Sequence, residues 1–192
     1  MTRLPDDVAG LQRKERLFVA VELSDELKAR LLDARRHFPG LKWTPVANLH
    51  LTLRFIGQVP QDLIAPIRQA LSRVVFDAFR LTVAGLGLFQ RRTSGILWAG
   101  VQKAPALGEL RRQADEALRA SVGLSPDEKE YSPHVTLSRL RGLVSQPLKN
   151  LVRENAAEHF GAMDVTEFTL FRSLPRPSGA IHEPVEKYRT CP

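Results

Sequence analysis

Apolar and polar side chains alternate along residues 48–57, which read NLHLTLRFIG. The apolar side chains recur every second residue, the period of a β-strand with one buried face, at Leu49, Leu51, Leu53 and Phe55. Strict alternation places the remaining side chains on the opposite face: Asn48, His50, Thr52 and Arg54. The pattern therefore predicts a half-buried strand whose polar face carries a histidine and a threonine two residues apart.

Similar patterns predict the other elements. Alternating or short apolar runs predict strands at 16–23, 79–89, 96–102, 164–173 and 184–190, and a further strand within 131–140. Helical periodicity predicts a helix that begins after Ser24 and stops at Pro39, one over 61–75, one opened by Pro105 and one near 147–158. The hairpin QRRTSG and the returning strands favour an α+β fold over a doubly wound sheet. We expect residues 1–14 to be a flexible leader and residues 15–192 to form one domain of two repeat-like lobes.

The histidine–threonine pattern occurs a second time. Residues 131–140 read YSPHVTLSRL, so the motif H-[LV]-T-L appears once in each half of the chain, as His50, Leu51, Thr52, Leu53 and as His134, Val135, Thr136, Leu137. The chain has 5 histidines in all, and two of them lie in this repeat. Two imidazoles can act together as general acid and general base, and threonine hydroxyls can donate hydrogen bonds to anionic oxygens. If the two strands converge on one cleft, they form a site for a phosphodiester.

Other kinds of site have less support in the sequence. Zinc usually takes three or four ligands, and the two motifs supply two histidines, while His37, His159 and His182 have no carboxylate at ligand spacing. The single cysteine, Cys191, has no catalytic motif around it, and the chain has no G-x-S-x-G. The segment GLGLFQ lacks the third glycine of a dinucleotide loop. We therefore expect no metal and no cofactor.

Composition and charge limit the kinds of partner that we expect this protein to bind. Of the 192 residues 28 are Lys or Arg and 21 are Asp or Glu, and the net charge of +7 favours a polyanionic partner, nucleic acid first. The arginines of the predicted hairpin tip, Arg91 and Arg92, are well placed to reach a nucleic-acid backbone. One cysteine suits the reducing cytoplasm, and no apolar run is long enough to span a membrane.

Two further side chains have alternative interpretations. On strict alternation Arg139 points away from His134, although a bulge at Ser138 would turn it back into the cleft. Phe55 belongs to the leucine face and would pack in the core, unless that face turns over at the end of the strand. In that case Phe55 could stack on a base.

The paired motifs resemble those of the two-histidine phosphoesterase superfamily, and within it the RNA 2′,3′-cyclic phosphodiesterases, also called LigT-like 2′-5′ RNA ligases. The likeness runs from about residue 16 to the C-terminus through RLFVAVEL, KWTPVANLHLTLRFIGQV, GLGLF, ILWAGV, YSPHVTLSRL and VTEFTLFRSL. It implies a bilobal α+β fold, with two pseudo-symmetric lobes of antiparallel sheet and outer helices around a central cleft.

The resemblance also implies roles for the site residues. His50 is then the proton donor, His134 the proton acceptor, and the phosphate is held by Thr52, Thr136 and Arg139, with Phe55 beside the nucleotide. The implied reaction is metal-free hydrolysis of RNA 2′,3′-cyclic phosphate ends, such as those of tRNA fragments, to 2′-phosphomonoesters by a monomer. Run backwards, the reaction joins RNA ends by a 2′-5′ linkage. Two alternatives stay open, a 2′-5′ oligonucleotide phosphodiesterase and a non-catalytic RNA-binding module.

Overall fold

The computed structural model describes residues 14–125, 130–177 and 179–190. These residues form eight strands: β1 (Lys14–Glu22), β2 (His50–Pro60), β3 (Phe79–Gln90), β4 (Ser94–Val101), β5 (His134–Arg141), β6 (His159–Val165), β7 (Glu167–Leu174) and β8 (Ile181–Arg189). They also form four α-helices: α1 (Asp25–Asp33), α2 (Ile64–Leu71), α3 (Pro105–Val122) and α4 (Gln146–Glu154). Short 3-10 turns cover Ala34–His37, Val46–Asn48 and Gln61–Leu63.

Most predicted elements are present, and several differ in their bounds. The first helix ends at Asp33 and a 3-10 turn follows it, the last helix ends at Glu154, and the last strand begins at Ile181. The strand predicted over 164–173 is two strands, β6 and β7, because the chain leaves the first at Val165 and enters the second at Glu167. The helix predicted over 61–75 is shorter, since a 3-10 turn precedes α2. Of the leader predicted over 1–14, residues 1–13 lie outside the described residues and Lys14 already belongs to β1.

Local sequence sets where the helices begin and end. The hydroxyl oxygens of Ser24 and Ser145 accept hydrogen bonds from backbone N–H groups in the first turns of α1 and α4, as N-caps do. Pro105 is the first residue of α3, and Gly123, with a φ of 65°, ends it in the left-handed conformation. None of the helices in the described ranges is long and apolar enough to cross a membrane.

The strands form one sheet in which each pair of neighbours is antiparallel, with the order β6-β3-β4-β5-β2-β1-β7-β8. The two histidine strands lie at its centre. On one side, β2, β1, β7 and β8 form what we call the His50 lobe. On the other, β5, β4, β3 and β6 form the His134 lobe. In the described chain a single residue pair, Leu51–Val135, joins the two lobes within the sheet.

The helices cover one face of this sheet and cross between the lobes. Helix α3 connects two strands of the His134 lobe, yet its buried leucines pack in the core of the His50 lobe together with α2. Helix α1 connects two strands of the His50 lobe, and Leu27 and Leu31 pack with Val83, Leu97 and Val135 of the other lobe. The helices thereby bind the two lobes together on one side and leave the opposite face of the sheet for the site.

Candidate active site

The two H-x-T-x motifs meet at the centre of the sheet. Leu51 and Val135 are fully buried and pair with each other between β2 and β5. In an antiparallel pair this register places the histidine of each motif across from the threonine of the other. The four polar side chains, all half-buried, therefore share the face opposite the helices: His50, Thr52, His134 and Thr136. The predicted convergence of the two motifs is what the structure shows.

The two imidazoles are held in the same way. Nδ1 of His50 lies 2.8 Å from the carbonyl oxygen of Asn48, and Nδ1 of His134 lies 2.7 Å from that of Ser132. Because a carbonyl oxygen can only accept, Nδ1 donates its proton in both rings. Nε2 of each ring is then free to exchange a proton. Nε2 of His50 lies 3.1 Å from Oγ1 of Thr52, which couples this ring to the hydroxyl of its own motif.

The charge state of His50 is set mainly by its surroundings. The pKa of His50 is lowered to about 4, chiefly by burial and also by the nearby His182, Arg139 and His134, whereas the hydrogen bond to Asn48 raises it. His50 is therefore neutral at neutral pH while the cleft is empty. An anion bound between the rings would raise its pKa, because an opposite charge stabilises the imidazolium.

Both histidine strands contain a bulge at the same distance from the histidine. In β2, Leu53 and Arg54 are both buried, and in β5, Leu137 and Ser138 are both buried, where strict alternation would bury only one residue. The register shifts accordingly against the neighbouring strands β1 and β4. Each bulge reverses the face of the side chains that come directly after it.

The first bulge corrects two expectations. Arg54, expected on the polar face with His50, is 4% exposed, and its Nε lies 2.9 Å from Oδ1 of Asp115 on α3. Phe55, expected in the core on strict alternation, is 59% exposed and lies 6.2 Å from Phe18, measured between ring centroids. The strand has turned over, as the alternative interpretation of Phe55 required, and this ring borders the cleft.

The second bulge settles which way Arg139 points. It lies five residues after His134, as Phe55 lies five residues after His50, and it is exposed. Its charge lowers the pKa of both His50 and His182, so the guanidinium group acts across the cleft on the opposite lobe. Strict alternation was wrong for Arg139. The bulge that the alternative interpretation required is present, and the hydroxyl of Ser138 donates to the carbonyl oxygen of Lys42 at 2.8 Å.

In each lobe, aromatic rings pack against the histidine. The sequence interpretation did not assign these rings to the site. Phe18 lies 4.9 Å from His50 and is stacked on Phe171 at 5.2 Å. In the other lobe Phe89 lies 5.0 Å from His134 and 5.1 Å from Trp98. Phe18 and Phe89 belong to patterns that also fit core strands, so the sequence carried no signal that separated them from ordinary core.

His182 is a third histidine at the site, and the sequence interpretation did not place it there. Its ring meets that of His50 edge-on, with a centroid distance of 5.3 Å and an interplanar angle of 89°. It comes from β8, an edge strand far from both motifs in sequence, which is why spacing carried no signal.

The remaining candidates lie elsewhere. Arg91 and Arg92 are exposed between β3 and β4, at the tip of the predicted hairpin, so their contact with nucleic acid stays a prediction. Cys191 lies outside the described residues. Among the residues that the structure describes, no group of three or more His, Cys, Asp or Glu side chains is arranged to hold a metal ion.

Comparison with known proteins agrees with this geometry. A family model described as LigT like Phosphoesterase matches residues 21–98 and 101–182, one segment for each motif. A protein of Aeropyrum pernix named RNA 2′,3′-cyclic phosphodiesterase is 38% identical over 160 residues, covering 81% of this chain and 90% of its own. One of the same name from Archaeoglobus fulgidus is 32% identical and covers 88% of this chain and 96% of its own.

Solved structures share the fold. Escherichia coli LigT complexed with 3′-AMP superposes with a TM-score of 0.76 at 25% identity, covering 93% of this chain and 99% of that one. TT0787 of Thermus thermophilus also gives 0.76, at 26% identity, covering 91% and 97%. A bilobal α+β fold in which each lobe contributes one H-x-T-x strand to the centre of the sheet defines this class of proteins. The chain belongs to the LigT-like phosphoesterases, a family of two-histidine phosphoesterases, and the resemblance and the fold class expected from the sequence are confirmed.

Proposed function

We propose that this protein hydrolyses RNA 2′,3′-cyclic phosphate ends to 2′-phosphomonoesters, with His50 and His134 as its acid and base. The observation that carries the proposal is the pseudo-twofold arrangement of the four motif side chains around the Leu51–Val135 pair. Across an antiparallel pair, opposite Cα atoms are about 4.5–5.5 Å apart, so two hydroxyls and two Nε2 atoms can surround one phosphate. Relatives that carry the name RNA 2′,3′-cyclic phosphodiesterase support this reaction over the alternatives.

The proposed mechanism uses each imidazole once. His134 accepts through Nε2 the proton of a water that attacks phosphorus. The bond between phosphorus and the 3′ oxygen breaks, and His50 gives its Nε2 proton to that oxygen, which leaves the phosphate on the 2′ oxygen. With a pKa of about 4, His50 is neutral at neutral pH, so the bound phosphate anion must raise its pKa before turnover. This requirement couples substrate binding to the protonation of the acid.

The other site residues would bind the substrate. Thr52 and Thr136 donate hydrogen bonds to the non-bridging phosphate oxygens, and Arg139 supplies a positive charge to the same group. Phe55, exposed at the border of the cleft, offers its ring to the terminal base. Run in reverse with an RNA 5′-hydroxyl in place of water, the geometry would form a 2′-5′ linkage.

Three narrower statements belong to the same proposal. We propose that the protein acts as a monomer, because one chain supplies both motifs. We propose RNA fragments with cyclic phosphate ends, tRNA fragments among them, as substrates. We place the protein in the cytoplasm, where its single cysteine would stay reduced.

The test is an assay on an RNA oligonucleotide with a 2′,3′-cyclic phosphate end, with the position of the product phosphate resolved by ³¹P NMR. We expect a 2′-phosphate, formed at an undiminished rate in excess EDTA. A 2′-5′-linked dinucleotide offered in parallel tests the oligonucleotide phosphodiesterase. Binding of the cyclic end without turnover would favour the non-catalytic module. Activity lost in EDTA and restored by zinc would contradict the metal-free mechanism.

Single substitutions test the two roles. His50→Ala and His134→Ala should each abolish turnover and leave the circular dichroism spectrum unchanged, because both half-buried rings lie on the face opposite the leucines that pack with the helices. The double variant should be little worse than either single one, since an acid–base pair acts as a unit. His159→Ala, which removes an exposed histidine of β6, is the matched control and should keep full activity. A His134→Ala protein with near-normal turnover would overturn the assignment.

A further inference from the structure

Asn48, in the short turn before β2, contacts both His50 and the residue before β8, the strand that carries His182. The carbonyl oxygen of Asn48 accepts the Nδ1 proton of His50, and the side-chain amide of the same residue donates to the carbonyl oxygen of Ala180 at 2.7 Å. This second bond holds the start of β8 next to the start of β2. The ring of His182 then meets Phe18 edge-on at 4.9 Å and His50 at 5.3 Å.

The tautomer of His182 differs from that of the two motif histidines. Its Nδ1 is buried without a hydrogen-bond partner among the described residues, whereas its Nε2 is not among the buried unpaired atoms. A buried N–H group is rarely left unpaired, so the ring carries its proton on Nε2. Burial, together with the charges of Arg139 and Arg16, lowers the pKa of His182, which favours the neutral ring. It therefore offers an N–H donor where His50 offers a proton-exchanging Nε2.

The charges that act on His182 come from both lobes. Arg16 is exposed on β1, on the same strand face as Phe18, and Arg139 reaches over from β5. The neighbouring carboxylate of Glu15 is engaged by Arg172 in an ion pair. An N–H donor on which the charges of two guanidinium groups act is an environment that favours an anion.

We propose that His182 and Arg16 form a subsite for the phosphodiester that joins the terminal nucleotide of the RNA to the nucleotide before it. The inference rests on the proposed function, because it takes the cyclic phosphate to lie between the motifs. His50 faces the ribose oxygen that leaves, so the ribose lies on the side of the His50 lobe. The next anionic group of the RNA on that side is the 5′ phosphodiester of the same nucleotide. His182 lies beside His50 there, and the charge of Arg16 acts on His182. A cyclic mononucleotide lacks that group.

The experiment compares adenosine 2′,3′-cyclic phosphate with the dinucleotide ApA that ends in the same cyclic phosphate. We expect the intact protein to prefer the dinucleotide in kcat/KM. His182→Ala and Arg16→Gln should each lower the ratio of dinucleotide to mononucleotide kcat/KM about tenfold, mainly through KM, the effect of one lost hydrogen bond to a charged group. His182→Gln keeps an N–H donor and should recover part of the ratio, and His159→Ala is the matched control.

Each outcome decides the proposal. Equal losses of kcat/KM on both substrates would show that His182 acts on His50 or on the fold. Wild-type kcat/KM on both substrates would show that His182 does not contact the RNA. Either result overturns the subsite. If neither cyclic ester is hydrolysed, the proposed function fails, and calorimetric titration then judges the subsite alone. Tighter binding of ApA 2′-phosphate than of adenosine 2′-phosphate, lost in His182→Ala, would support it, and equal binding would overturn it.

Discussion

At the scale of single residues, the site combines two histidines that have similar hydrogen bonds. Each ring is fixed by a bond from Nδ1 to the carbonyl oxygen two residues earlier, so the H-x-T strands position both Nε2 atoms in the same manner. His50 nevertheless lies against Phe18 and Phe171, and this apolar contact removes water from its charged form. In the proposed mechanism, His50 gains the proton that it donates when the anionic substrate binds.

The burial of His50 predicts a loss of stability in mild acid. The unfolded chain binds a proton at this histidine near pH 6.5, whereas the folded protein binds it only near pH 4. Stability from this group is therefore complete above pH 6.5, falls as the pH drops through the window to 4, and changes no further below it. The loss is on the order of 3 kcal/mol across the window.

Urea unfolding of the wild type and of His50→Asn between pH 7.5 and pH 4 measures this loss, and the difference between the two proteins isolates it from other titrating groups. We expect the wild type to lose more stability than the variant, and His159→Asn serves as the control for removal of an imidazole elsewhere. Parallel curves for wild type and His50→Asn would show that burial does not affect the protonation of His50.

At the scale of elements, strand bulges determine what the cleft contains. Each histidine strand places two successive side chains in buried positions, and the next residue returns to the face of the histidine. Phe55 and Arg139 thereby occupy equivalent positions in the two lobes. One lobe thus offers a ring to the cleft and the other a positive charge, an asymmetry suited to a ligand with a base at one end and a phosphate at the centre.

The pairing of β3 with β4 depends on a residue without a side chain. A Cβ atom on Gly87 would lie 2.1 Å from the six-membered ring of Trp98, so Gly87→Ala must displace that ring, which packs against Phe89 beside His134. We expect Gly87→Ala to destabilise the protein by about 1–3 kcal/mol, as overpacking does, and to lower kcat/KM.

A second glycine provides the control, and chemical denaturation with a turnover assay measures both variants. Gly108 is an exposed position on α3, and a Cβ atom added there would have nothing within 4 Å. Gly108→Ala should stabilise the protein by up to roughly 1 kcal/mol and leave turnover unchanged, because alanine favours the helix. Wild-type stability in Gly87→Ala would show that Trp98 has room to move.

At the scale of the whole molecule, the net charge of +7 favours long-range attraction of a polyanion, such as the RNA of the proposed function. The exposed arginines of the β3–β4 connection lie at the end of two long strands of the His134 lobe, next in the chain to Phe89 and Gln90. Their position allows contact with the RNA backbone beyond the terminal nucleotide.

RNA binding should therefore weaken with salt, and removal of these two charges should reduce that dependence. For Arg91→Gln/Arg92→Gln we expect weaker binding and a salt slope reduced by about 1–2, since each arginine removed eliminates one interaction with a phosphate. Arg73→Gln/Arg119→Gln removes the same charge from the helical side of the molecule and is the matched control. Fluorescence anisotropy at several salt concentrations measures both, and equal slopes in the two double variants would show that Arg91 and Arg92 are only solvated.

The amino-acid sequence was sufficient to predict the features that depend on local rules. Apolar periodicity predicted the strands and helices, Ser24 and Pro105 set two helix starts, and the repeat of H-x-T-x identified four polar side chains that the structure brings together. These features depend on neighbours within a few residues, so a linear pattern contains them.

The rest of the site is defined only in the folded molecule. Strict alternation misplaced Arg54 because a bulge depends on register with the neighbouring strand, and the ion pair with Asp115 that this arginine makes comes from a helix distant in sequence. His182 joins the cleft from an edge strand, held by an amide of the turn before β2. The low pKa of His50 likewise arises from rings on three other strands. Burial, register and long-range electrostatics depend on the packed sheet, and no local spacing in the chain records them.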